Sequence, residues 1–392
     1  MMNPPHDHRV HEAVGPSLSP RETVGAIGLG VVSLIFAGVI PVLLGGMADE
    51  GRISFAGIGY CAGLEGISMG ITTALAGILL KSRRLKWLGA IACAALFLFD
   101  LATTQMSGGG VFAARIAAGI PEGLLLWLTV SMIARSEVPE RWAGVLFTAL
   151  VAGQLALALA LWAFVMNWWG ANGGFAALGL TALPGIALAF LAPDSYAPLP
   201  KPEGESGSPP LRGWIALLGT LFFAGAAGAV GTFLQPLAHQ AGLSADVART
   251  ALWVSLVAQV AGGATATALG GRVHYMSVFV FTTISFLTAF CVFGFVVPAW
   301  AFVAANTLAG FVTILLGPFL VPMTIEADPS RRAAVLSAST QVLAGALAPF
   351  GAAMLVRGSD VHSVLFFGSG ILLTGLAIFA GLHAFRLRDA TA

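Results

Sequence analysis

The sequence predicts an all-α integral membrane fold: twelve transmembrane helices in two six-helix halves. Three observations predict it. The composition is too apolar for water, the apolar runs of spanning length number twelve, and the second half of the chain repeats a motif of the first.

Of 392 residues, 57% are hydrophobic and 9% are charged, where a soluble domain carries about 25% charged residues. Lys and Arg number 19 against 18 Asp and Glu, a formal net charge of +1. That balance argues against a nucleic-acid partner, which needs a basic footprint. The 49 glycines suit helices in lipid, where small residues let backbones approach closely. Cys61, Cys93 and Cys291 lie inside apolar runs and read as small core residues, not as a disulfide framework. The polar stretch Met1 to Glu22 does not read as a signal peptide. Its cluster His6, Asp7, His8, Arg9 and His11 reads as a solvated tail. No metal and no cofactor are expected in the chain.

A span needs about 20 mostly apolar residues. Such runs fall near 23–48, 54–80, 86–106, 110–134, 142–166 and 174–192, then near 213–238, 247–269, 276–296, 299–323, 333–356 and 362–385. Between the two sets, residues 193–212 are rich in Pro, Gly and Ser and form a linker. The expected organisation is therefore a tail (1–22), an N-terminal half (23–192), the linker, a C-terminal half (213–385) and a second tail (386–392).

The basic residues orient these spans. Arg9, Arg21, Lys81, Arg83, Arg84, Lys86, Arg135, Arg141, Lys201, Arg212, Arg272, Arg331, Arg332, Arg386 and Arg388 fall on one side, and only Arg52, Arg249 and Arg357 on the other. Basic loops stay in the cytoplasm. Both termini and the linker are thus expected in the cytoplasm, which requires an even number of spans. The expected location is a bacterial inner membrane.

The halves repeat. Pro139, Arg141, Ala143, Val145 and Leu146 match Pro329, Arg331, Ala333, Val335 and Leu336 in the pattern P-x-R-x-A-x-V-L, at an offset of 190 residues. The same offset maps Ile53-Ser54 onto Leu243-Ser244. A parallel repeat of six spans is a secondary-transporter architecture, with the solute site between the halves near the midplane.

With these features the chain resembles the major facilitator superfamily of transporters over essentially its whole length. Arg115, Gly119, Pro121 and Gly123, followed by Pro139-Glu140-Arg141, are similar to the family's fourth span and its exit. Gly242-Leu243-Ser244 is similar to the family's entry to span eight. Two places depart. The loop Gly77 to Lys86 keeps its basic charge but lacks the Asp and second Gly of the family's loop after span two. Span five has Gly153-Gln154 where many drug/proton antiporters carry a Gly-Pro pair. The resemblance implies a carrier working by alternating access; it fixes no substrate.

Four ionisable residues lie at bilayer depth, away from the ends of the predicted spans: Glu65, Asp100, Arg115 and Glu122. Such residues are costly in lipid and mark function by default. At about 1.5 Å per residue, Arg115 lies about 8 Å and Asp100 about 9 Å from the outer ends of antiparallel neighbouring spans. They are expected to pair, either as a structural lock or as a site facing an anionic solute. Glu122 is two turns beyond Arg115 on one helical face, after Pro121 and about 18 Å deep. Glu65, about 16 Å deep, shares a polar stripe with Cys61, Ser68 and Thr72. Burial disfavours an ionised carboxyl, so Glu122 and Glu65 are the expected proton-coupling residues, with a neutral hydrogen-bonded acid as the bland alternative. In the C-terminal half the position matching Arg115 is Ala305, beside Asn306. That half is expected to line a cavity through Gln259, Asn306, Thr313 and Gln341, with Gln235 and His239 at the outer end of span seven. Trp127, Trp162 and Trp253 lie deep and either line the cavity or pack. Trp87, Trp142, Trp168, Trp169, Trp214 and Trp300 sit at predicted span ends, as an interfacial belt does.

The expected function is secondary active transport of a small organic solute, proton-coupled, by a monomer whose partners are the solute, protons and membrane lipid. A proton-independent uniporter and a non-transporting sensor or scaffold are the alternatives. An intramembrane enzyme is disfavoured: Gly66-Ile67-Ser68-Met69-Gly70 fits G-x-S-x-G by letter but lacks the strand–turn–helix context. No G-x-x-x-x-G-K-[ST] loop for an ATP-driven pump is present.

Overall fold

The computed structural model describes residues 19–53, 55–197, 208–356 and 361–391. The tail cluster from His6 to His11 lies outside them, as do the side chains of Trp162 and Gln235. Among the described residues there is no β-strand, and twelve helices are long and apolar enough to cross a membrane. Their outward faces are apolar: Ile91, Ile284 and Phe366 are 63%, 60% and 78% exposed, which only a lipid environment tolerates on this scale. The protein is an integral membrane protein.

The first six spans are built by α1 (Pro20–Leu34), α2 (Ile40–Asp49), α3 (Phe55–Leu79), α4 (Leu85–Thr103), α5 (Gly109–Ile133), α6 (Pro139–Ala160), α7 (Met166–Leu180) and α8 (Ala182–Leu191). Ser19 starts α1 with a capping box: its side chain accepts from the Glu22 backbone N–H while Glu22 accepts from the Ser19 N–H. The second six are built by α9 (Leu211–Gly231), α10 (Leu234–Gln240), α11 (Ala245–Leu269), α12 (Tyr275–Phe293), α13 (Ala299–Ala327), α14 (Arg332–Ala353) and α15 (His362–Thr391).

Several expected spans are interrupted. Span one passes through a 3₁₀ turn at Ile35–Gly38 before α2, where Pro41 removes a backbone donor. Span five ends in a π turn at Leu161–Val165. Span six is divided at Thr181, between α7 and α8, whereas Gly170, at φ 55° inside α7, a conformation that favours glycine, falls in the expected loop between spans five and six.

The chain forms two compact units. One comprises the residues up to Pro139, Ala152–Pro209 and Asp328–Ser339; the other comprises Glu140–Val151, Pro210–Ala327 and Thr340 onward. In the first unit α5 packs on α1, α3 and α4, and α8 packs on α1 and α4. In the second unit α13 packs on α9, α11 and α12, and α15 packs on α9 and α12. The pairing is the same in both, so the sequence repeat is a repeat of packing. The units nevertheless depart from the two sequence halves at two segments. Glu140–Val151 joins the second unit, where a Cβ on Gly144 would meet Thr267 at 2.7 Å. Asp328–Ser339 joins the first, where a Cβ on Gly77 would meet Val335 and Leu336 at 3.2 Å.

The cores differ in chemistry. The second unit packs Phe223, Phe279, Phe286, Phe302, Phe319 and Phe379 with almost no exposure. The first unit buries charge.

Candidate functional site: a buried charge cluster

Glycines bring α3 and α5 together. A Cβ on Gly119 would lie 2.6 Å from the Glu65 carbonyl oxygen, and one on Gly123 would lie 2.6 Å from that of Met69. This spacing of small residues is a close-packing device of membrane helices. Hydroxyls stitch the seam: Ser68 Oγ donates to the Ile116 carbonyl at 2.7 Å and Thr73 Oγ1 to that of Gly123 at 3.0 Å. Ser33 Oγ on α1 donates to the Glu122 carbonyl at 2.7 Å. The predicted stripe of Cys61, Glu65, Ser68 and Thr72 faces this seam.

At that seam Arg115 is fully buried. Its Nε donates to Glu65 Oε2 at 3.0 Å, its Nη2 donates to Glu65 Oε1, and its Nη1 donates to Asp100 Oδ1 at 2.6 Å. Glu122 Oε1 lies 3.8 Å from Nη2. The Phe175 ring of α7 sits 5.4 Å from the guanidinium carbon, a cation–π contact. Glu65, Asp100 and Glu122 are each at most 1% exposed. Glu122 Oε2 has no hydrogen-bond partner among the described residues.

Four of the expected site residues thus form one cluster. Asp100 and Arg115 meet as neighbours at one level. Glu65 meets Arg115 too, although counting from loop ends put it almost twice as deep. Helices that start at different heights do not share a depth scale, and Arg115 spans the remaining distance with its long side chain.

The residues expected to line a cavity are spread through the second unit and α5. Asn306 is 8% exposed and donates to the Ala251 carbonyl at 2.9 Å, tying α13 to α11. Thr313 Oγ1 donates to the Ala309 carbonyl of its own helix. Gln259 and Gln341 are half-buried. Trp127 is 2% exposed and packs, whereas Trp253 is 38% exposed. Cys291 is exposed and not a core residue as expected, while Cys61 and Cys93 are buried. His239 is exposed.

Two arginines outside the spans do structural work that spacing did not disclose. Arg52 is a loop charge by its position in the sequence. It donates to the carbonyls of Thr103 and Thr104 at 2.9 Å each and to that of Met106, so it caps the end of α4. Arg331, at φ 62°, donates to the carbonyls of Ala134 and Ser136 at 2.9 and 3.0 Å. Burial pulls the neighbouring Arg135 guanidinium down to about 10, still charged at neutral pH.

No protein-family model matches the sequence, and no curated protein does. Solved structures do match. The transporter FucP, in the outward conformation, superposes with a TM-score of 0.71 over 92% of this chain and 98% of its own, at 11% identity. The fold is that of the major facilitator transporters. The human organic anion transporter MFSD10 matches with a TM-score of 0.70 over 92% of this chain and 100% of its own, at 15% identity. The proton:xylose symporter XylE matches at 0.66 over 91% and 93%, also at 15% identity.

Proposed function

We propose that the protein is a secondary carrier of a small organic solute, coupled to protons through the Glu65–Asp100–Arg115–Glu122 cluster. The observation that carries this reading is the imbalance of the cluster: three buried carboxyls face one guanidinium. Were all ionised, the cluster would hold a formal charge of −2 away from water, which buried charge does not sustain without partners. Two protons shared among the three carboxyls neutralise it. Glu122 Oε2, an acceptor without a partner among the described residues, is the atom we assign to the exchangeable proton. Arg115 holds the cluster together because its guanidinium stays charged and its fork matches carboxylates.

The fold supports the carrier reading, and two solved neighbours are described as a proton:xylose symporter and a fucose:proton symporter. Cytoplasmic termini follow from the basic-loop asymmetry and belong to the same proposal. The test is uptake into proteoliposomes against a solute panel under an imposed pH gradient. Accumulation that collapses with a protonophore supports coupling. Equilibration without accumulation under any gradient makes the protein a uniporter and sinks the coupling.

A further inference from the structure

Away from the charge cluster, the second unit gathers three metal-ligating side chains at one end. His274 precedes α12, Glu326 is near the end of α13, and His383 is near the end of α15. One ligand atom from each lies within 4.8 Å of the other two. We propose that His274, Glu326 and His383 form a binding site for a divalent transition metal of the zinc class.

Four features support the assignment. The donor set, two imidazoles and one carboxylate, suits zinc and its neighbours. Ligand atoms around one zinc stand about 3.3 Å apart, so closure asks for shifts of roughly an ångström, within reach of side-chain rotation. His383 Nδ1 is already 3.3 Å from Glu326 Oε1 and 3.2 Å from the Tyr275 hydroxyl, contacts that set the ring's orientation. His274 Nδ1 accepts the Met276 N–H at 3.2 Å, a bond that must yield when zinc binds, because an imidazole coordinating through one nitrogen carries its proton on the other. The two imidazole rings lie 5.2 Å apart.

The place is accessible. His274 is exposed, and Tyr275, Glu326 and His383 line a cavity of about 40 Å³, room for an ion and a coordinating water. Arg212 of α9 lines the same cavity. Its positive charge opposes a cation and competes for the Glu326 carboxylate, so the affinity is expected to be moderate. A bound metal would clamp the ends of α12, α13 and α15 together. The three ligands are far apart in sequence, which is why ligand spacing gave no sign of them.

The test uses the untagged full-length protein with His6, His8 and His11 replaced by alanine, so that the tail cannot bind. Zinc chloride titrated into this protein in detergent is expected to bind at one equivalent per chain and to raise the melting temperature. Cobalt(II) is expected to give the visible ligand-field bands of a low-coordinate site. His274→Ala, His383→Ala and Glu326→Gln should each weaken zinc by at least about tenfold, and Arg212→Gln should tighten it. Absence of stoichiometric binding and of the cobalt bands overturns the proposal, as does binding that is unchanged in all three ligand variants. If a variant fails to fold, the cobalt spectrum of the parent still decides.

Discussion

Replacing Gly119 with alanine tests the charged cluster without touching a charge. The new Cβ would lie 2.6 Å from the Glu65 carbonyl oxygen, 2.8 Å from Ser68 Cβ and 3.0 Å from the Met69 nitrogen. Ordinary contact begins at 3.4 Å, and two of these three neighbours are backbone, which cannot swing aside. The helices α3 and α5 must therefore part by about 0.8 Å, an overpacking cost of about 1–3 kcal/mol. Alanine returns about 0.5–1 kcal/mol through helix propensity. Parting also stretches the 3.0 Å bond from Arg115 Nε to Glu65 Oε2 towards about 3.8 Å, beyond hydrogen-bond range. The expected outcome is a lower melting temperature together with impaired transport in proteoliposomes. Gly370→Ala, on α15 with nothing within 4 Å, is the control and should melt at or slightly above the parent temperature. A Gly119→Ala protein with parental melting and full transport would refute the close-packing argument.

Four further outcomes follow from the same geometry. Arg115→Ala strands three buried carboxyls without their counter-charge, so a loss of about 3–5 kcal/mol and no transport are expected. Arg115→Lys should also fail in transport assays, because an ammonium cannot donate in a fork to Glu65 while holding Asp100. Arg52→Ala should lower the melting temperature while leaving substrate affinity unchanged, since its bonds cap α4 rather than enter the cluster. Arg331→Gly relieves the positive φ but removes two bonds to the end of α5, and chemical-denaturation or thermal curves should show a net loss of about 1–3 kcal/mol.

Much of the fold is legible in the sequence because lipid leaves few solutions. Backbone groups in hydrocarbon must be satisfied within each segment, so apolar length reports spans directly, and P-x-R-x-A-x-V-L at 139 and 329 reports the repeat. The breaks at Val39 and Thr181 escape notice because hydropathy runs unbroken through them. Asp100 beside Arg115 is legible because consecutive spans are adjacent and antiparallel. The Glu65–Arg115 contact is not, because it depends on the close approach that Gly119 and Gly123 permit and on the relative height of two helices. The capping roles of Arg52 and Arg331 depend on which carbonyls the fold leaves unsatisfied, and loop position alone carries no record of that. Trp127 and Trp253 show the limit most plainly: both are deep aromatics in sequence, yet one is 2% and the other 38% exposed.

The central claim is that the exchangeable proton resides in this cluster, at Glu122. Glutamine at 122 keeps the shape and much of the hydrogen bonding of a protonated carboxyl but releases no proton. Counterflow and pH-driven accumulation should therefore be measured side by side in proteoliposomes carrying the Glu122→Gln protein, with the identified solute. The account predicts parental counterflow and loss of accumulation, with Glu65→Gln as the second place to find that phenotype. Accumulation that persists at parental levels in both variants would contradict it and put the proton path elsewhere.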